Sequence, residues 1–268
     1  MTEFAPHRAR KRFGQNFLHD HGVINRILRA IHPREGQHLV EIGPGQGAIT
    51  TGLLASNARL DVVELDHDLH PILLARFGHN PLFRLHKGDA LKFDFSTLVE
   101  ADEKLRIVGN LPYNISTPLM FHLLDQAEHV ADMHFMLQKE VVQRLAAQVG
   151  ENHYGRLGIM VQYHCQVEHL FDVGPGAFNP PPKVDSAIVR LTPHASLPHP
   201  AKDLSCLERV VREAFNHRRK TLRNTLKPLL DSNAIEAAGI DPGLRPEQID
   251  LAGFVRLANH LADQERGQ

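Results

Sequence analysis

The sequence predicts an α/β chain: a doubly wound layer of parallel strands followed by a smaller, all-helical C-terminal domain. Three observations carry the prediction. Short apolar runs alternate with helix-like stretches over the first 150 or so residues, which is the pattern of βαβ units. The first of those runs ends in a glycine loop, Gly43-Pro44-Gly45-Gln46-Gly47. Past a breaker-rich stretch with Pro193, Pro198 and Pro200, only helical periodicity remains.

The strands are expected at Leu39–Ile42, Leu60–Leu65, Phe83–His86, Leu105–Val108 and Met133–Leu137. Helices are expected between them at Ala48–Ala55, Asp68–Arg76 and Thr117–Gln126, and after them at Lys139–Val149. Right-handed crossovers turn such an alternation into a doubly wound sheet. Ser186–Leu191 reads as one more strand, placed at an edge. From Leu204 onward, Pro228, Gly239, Pro242, Gly243 and Pro246 break the helical pattern into several short helices. The boundary is drawn near residue 195, giving domains 1–195 and 196–268.

The chain has 268 residues, 42% hydrophobic and 23% charged, which is ordinary globular composition and excludes disorder or a fibre. At this size a core forms without disulfide staples. Two cysteines far apart, Cys165 and Cys206, form neither a disulfide framework nor a zinc motif. No apolar run approaches 18 residues, so no membrane-spanning helix is expected, and the setting is expected to be cytoplasmic. The net charge of -1 hides a local excess: Arg209 to Lys227 holds seven cations and one anion. Local fields of this kind steer partners, although a solvated basic helix face reads the same way.

The glycine loop comes directly after strand one, where glycines let the backbone approach a ligand. Glu64 ends strand two, 21 residues beyond Gly43, and a carboxylate there can accept both hydroxyls of a ribose. With Ala48 as its last member, the loop also satisfies the dinucleotide fingerprint. NAD, S-adenosylmethionine and a tight turn without a ligand are all open on this loop alone. Asp89 comes after strand three and can accept from an adenine amine, although an Asp there also serves as a helix cap. Asn110 comes after strand four. All four signals sit at carboxyl ends of successive strands, where open α/β sheets bind ligands. An NAD enzyme would need a catalytic His or a Tyr-Lys pair, and the 19 histidines form no such motif.

Asn110-Leu111-Pro112-Tyr113 suits methylation of an adenine amine. The N6 lone pair is delocalised into the ring and must be drawn out of it. The Asn110 side-chain carbonyl and the Leu111 backbone carbonyl, stiffened by Pro112, are two acceptors for the NH2. Tyr113 can stack on the base. Positioning and electrostatics carry such a transfer, with no metal and no strong general base. A plain turn with a buried tyrosine would carry the same tetrapeptide. Phe178 precedes the stiff run Asn179-Pro180-Pro181-Pro182-Lys183. It reads either as the opposite face of a base clamp or as a core aromatic.

Together these segments resemble the small-subunit ribosomal RNA adenine dimethyltransferases, the family whose loss gives kasugamycin resistance. The segments are Phe13-Gly14-Gln15-Asn16-Phe17-Leu18, Glu41–Thr50, Val63–Asp66, Gly88–Ala90, Gly109–Thr117, Gln162–Val167 and Phe178–Leu191. The resemblance covers nearly the whole chain. It implies a Rossmann-like class I methyltransferase domain that uses S-adenosylmethionine to place two methyls on each of two adjacent adenosines in a hairpin loop near the RNA 3′ end. It implies cofactor contacts at Asn16, Leu18, Gly43, Gly45, Glu64, Asp89 and Asn110. Asn110, Leu111, Pro112 and Tyr113 would form the target-base site, with Phe178 as clamp. Arg218, Arg219, Lys220 and Arg223 would contact RNA phosphates, which position a nucleic acid without specifying it. The implied partner is small-subunit RNA in a pre-30S particle, met by a monomer. Two alternatives share these motifs: the large-subunit dimethyltransferases of macrolide resistance, and an assembly factor whose binding outweighs its catalysis.

Overall fold

The computed structural model describes residues 15–217 and 219–267. The chain divides into two compact units, residues 1–142 with 168–193, and residues 143–167 with 194–268. The second break falls at the proline-rich stretch around residue 195. Residues 143–167 belong with the helical unit, so neither unit is one continuous stretch of chain.

In the first unit, β1 (Phe17–Leu18) leads into α1 (His21–Ile31). Asp20 caps α1 by accepting from Val23 N at 3.0 Å. Next come β2 (His38–Ile42), α2 (Thr50–Leu54), β3 (Arg59–Glu64), α3 (Leu69–Phe77), β4 (Phe83–Lys87), β5 (Leu105–Asn110), α4 (Ser116–Leu124), β6 (Val130–Gln138) and α5 (Lys139–Ala146), whose residues from 143 on belong to the helical unit. After α6 (Arg156–His164) come β7 (Cys165–Val173), β8 (Phe178–Asn179) and β9 (Ser186–Pro193).

Seven strands form one sheet in the order β4-β3-β2-β5-β6-β9-β7. β2 to β6 pair in parallel, and the order reverses between β2 and β5. A crevice beyond the carboxyl ends of the strands at such a reversal is where these sheets bind ligands. β2 reads as an unbroken buried run because both its faces are covered.

Two expectations are corrected. β9 is not an edge strand: it pairs antiparallel with β6 and has β7 on its other side. β7 itself was unforeseen, because Cys165–Val173 is mostly exposed or half-buried and carries Glu168, His169 and Asp172. A partly solvated strand has no long apolar run to reveal it.

The helical unit holds α6, α7 (Leu204–Phe215), α8 (Leu222–Thr225), α9 (Ser232–Ala237) and α10 (Leu251–Arg266). Two of these are longer than the sequence suggests: α7 has 12 residues and α10 has 16. α7 buries Leu207, Val210, Val211 and Ala214, and α10 buries Phe254, Leu257, Ala258 and Leu261. Phe215 packs against the rings of Tyr154 and Phe254. Among the described residues, no helix is long and apolar enough to cross a membrane.

Candidate active site

A cavity of about 350 Å³ opens at the carboxyl ends of β2 to β5. It is lined by every cofactor and base-site residue expected from the sequence: Asn16, Leu18, Gly43, Gly45, Glu64, Asp89, Asn110, Leu111, Pro112, Tyr113 and Phe178. The four strand-end signals therefore converge on one space.

Gly43 and Gly45 have φ of +64° and +58°, a left-handed backbone that favours glycine. A β-carbon on Gly45 would also meet the Phe17 ring at 3.1 Å. Phe17 lies in β1, which pairs with β8 so that Leu18 stands opposite Phe178. The segment that carries the expected cofactor contacts Asn16 and Leu18 is thus hydrogen-bonded to the one that carries the expected base clamp. Phe178 is buried at 3% exposure and still lines the cavity. Phe178 is thus a core aromatic that also forms part of the cavity wall.

Glu64 ends β3 with one carboxylate oxygen accepting from Asp66 N at 2.8 Å and the other from Gly45 N at 3.4 Å. These bonds orient the group toward the cavity. Burial pushes its pKa up to about 7 despite them. Asp66 in turn accepts from Gln15 Nε2 at 2.8 Å. Asp89 accepts from Leu91 N at 3.0 Å through Oδ1, so it caps a turn and lines the cavity together. Asn110 donates from Nδ2 to the Asn16 carbonyl at 3.3 Å. That fixes which end of the amide is the acceptor: Oδ1.

Sequence reasoning missed Glu41. It lies in β2 between the apolar Val40 and Ile42, 2% exposed, and lines the cavity. Thr50 Oγ1 donates to it at 2.6 Å. Burial pushes its pKa up to about 7 as well, and the nearby Glu64 adds to the shift. A carboxylate inside an apolar strand two residues before a glycine loop was the available signal.

Of the expected RNA contacts, Arg219 and Lys220 lie in the helical unit between α7 and α8, and Arg223 lies in α8; all three are exposed. None forms an ion pair with a described residue. Arg218 lies outside the described residues, as do Phe13 and Gly14 of the first motif.

The lining suits a nucleoside with an apolar flank. Glu64 offers an acceptor to a diol and Asp89 one to an amine, beside Ile42, Leu65 and Ala90. Asn110 and Leu111 line the same cavity beside the rings of Tyr113 and Phe178, and an amide oxygen and a backbone carbonyl are acceptors of the kind a second amine needs. This set of acceptors and apolar surfaces fits S-adenosylmethionine together with an adenine base.

Comparison with known proteins agrees. The ribosomal RNA adenine dimethylase family model matches residues 6–263. A Pseudomonas aeruginosa protein named ribosomal RNA small subunit methyltransferase A is 74% identical over 98% of each chain. One of the same name from Pseudomonas fluorescens is 72% identical over 99% of this chain and 98% of its own. Among solved structures, a dimethyladenosine transferase from Plasmodium falciparum shares 25% identity with a TM-score of 0.78, covering 94% of this chain and 98% of its own. The 23S rRNA methyltransferase ErmE shares 25% with a TM-score of 0.73, covering 92% and 100%. The fold is that of the class I rRNA methyltransferases, the family uses S-adenosylmethionine, and with a family match across nearly its full length this chain belongs to the ribosomal RNA adenine dimethylases.

Proposed function

We propose that this enzyme dimethylates N6 of two adjacent adenosines in the 3′-terminal hairpin loop of small-subunit ribosomal RNA, acting as a cytoplasmic monomer on a pre-30S particle. The carrying observation is that Asn110–Tyr113 and the Glu64–Asp89 pair line the same cavity. Relatives at 70% identity and above that bear the small-subunit name support this substrate over large-subunit RNA.

When bound, S-adenosylmethionine supplies the methyl as an electrophilic sulfonium. Glu64 would hold its ribose, Asp89 its adenine amine, and Asn16, Leu18, Gly43 and Gly45 its flanks. Asn110 Oδ1 and the Leu111 carbonyl would accept from the target NH2 and favour a pyramidal nitrogen with its lone pair forward. Tyr113 and Phe178 would clamp the base. Loop adenosines are partly unstacked, which lowers the cost of extrusion. Catalysis then resides in orientation and preorganised acceptors.

Primer extension on ribosomal RNA tests the assignment, because dimethylation blocks the pairing edge of adenine. Paired stops near the small-subunit 3′ end should vanish on deletion of the gene and return with it. Stops that persist without the gene would defeat the assignment. An Asn110→Ala gene that restores growth as well as the wild type would favour the assembly role over catalysis. For the helical unit, replacing Arg219, Lys220 and Arg223 by Ala should flatten the slope of log K against log salt by about two units, at roughly 0.7–0.9 per lost phosphate contact. An unchanged slope would remove these residues from the interface.

A further inference from the structure

The hydroxyl of Tyr113 shares a hydrogen bond of 3.0 Å with Ser186 Oγ. The two residues differ in how firmly the fold holds them. Ser186 is 1% exposed and opens β9, in register with Gln138 at the end of β6. The residue before it is tied as well, since Lys139 N donates to the Asp185 carbonyl at 2.9 Å. Tyr113 lies in the turn between β5 and α4, outside any ladder, and is only partly buried. Its ring turns about two side-chain torsions, and the second of these is soft for an aromatic. A hydrogen bond at the far end of the phenol removes that freedom by tying it to a strand.

We infer that Ser186 is a positioning residue for methyl transfer, holding the Tyr113 ring at the angle at which the target base stacks. This rests on reading Asn110–Tyr113 as the base site. The connection from Phe178 to Ser186 then serves both faces of the base: it supplies one ring at its start and sets the other at its end. Ring angle matters most for the second transfer. The monomethylated amine must present its lone pair in the same direction with a methyl already attached.

The test uses the full-length protein, unmethylated small subunits and labelled S-adenosylmethionine, with the methylated nucleosides separated. Ser186→Ala and Tyr113→Phe should each lower kcat about fivefold, the size of one neutral hydrogen bond. KM for the subunit and Kd for the cofactor should stay within about twofold, as for an interaction that acts on the transition state alone. The share of monomethyladenosine should rise. The double variant should be no slower than the slower single one, because both changes remove the same bond. Wild-type kcat in Ser186→Ala, losses that multiply in the double variant, or a parallel loss of cofactor affinity would overturn the inference. Tyr113→Ala separates it from its premise. Wild-type activity in that variant removes the base-site reading. A large loss there beside an unaffected Ser186→Ala overturns the role of Ser186 alone.

Discussion

Asp61 and Glu64 stand three residues apart on β3, 0% and 6% exposed, and their pKa values shift in opposite directions. Strand alternation explains the difference, since an odd separation sends two side chains to opposite faces. In this register His38, Asp61 and His86 share one face, and Glu41 and Glu64 share the other. Asp61 accepts from His38 Nε2 at 2.5 Å and His86 Nε2 at 2.6 Å, with Arg84 Nε at 3.3 Å. Burial alone would raise its pKa, but these partners hold it well below the usual carboxylate range. Glu103 and Arg59 extend the network: Arg59 donates to Glu103, and His38 Nδ1 lies 2.9 Å from Glu103 Oε1. Among the described residues Glu64 has only backbone N–H donors, with the carboxylates of Asp66 and Glu41 nearby, and burial raises its pKa. The comparison separates two uses of a buried carboxylate. One with its charge met by side chains is part of the scaffold. One met by backbone N–H groups alone, with a cavity in front of it, is left with acceptor capacity that a ligand's donors could use.

The largest effect should come from the scaffold side. Asp61→Asn removes the charge that two histidines and an arginine face, and breaking a buried pair costs about 3–5 kcal/mol. Urea denaturation should show that loss, while cofactor affinity in the folded fraction stays as in the wild type. Glu64→Gln should do the reverse. Cofactor affinity, measured by calorimetry, should fall about tenfold to a hundredfold, the range of hydrogen bonds to a charged group. The unfolding midpoint near pH 8 should hold or rise, because a costly ionised group is gone. Equal losses of stability in both variants would erase the distinction.

The two faces were not equally legible. Glu64 could be read from the sequence because the end of each strand carries its own marker: glycines after β2, Asp89 after β4, Asn-Leu-Pro-Tyr after β5. Its position relative to the loop then implied its use. The Asp61 network could not be read in this way. His38, Asp61 and His86 come from three strands, and they meet only through a register that apolar runs do not specify. Glu41 was hidden for a related reason: in a strand buried on both faces nothing marks which face a residue serves. The Tyr113–Ser186 bond joins positions 73 residues apart through the antiparallel placement of β9, the strand expected at an edge. Residues 143–167 were likewise assigned by their order along the chain, whereas contacts place them with the helical unit. The sequence reports what a residue can do and which end of a strand it occupies. It is silent on lateral order.

The smallest effect lies on the cavity floor and is resolved by pH. A carboxyl whose pKa is raised by folding binds more protons folded than unfolded between the two values. For Glu41 that window runs from 4.5 to about 7, so its contribution to stability falls as pH rises through it. Asp61 acts in the other sense. Its lowered pKa contributes stability that is present above the ordinary value of 3.8 and is lost as pH falls through the folded value. Thr50→Val removes the hydroxyl that donates to Glu41 at nearly constant volume. At pH 5, where Glu41 is protonated, the change should cost about 0.5 kcal/mol; at pH 8, where it is ionised, about 1–2 kcal/mol. Urea titrations at the two pH values measure both. Equal costs would mean that Glu41 carries the same charge at both. The cavity floor would then carry a constant charge, and the contrast between the two faces of β3 would rest on Glu64 alone.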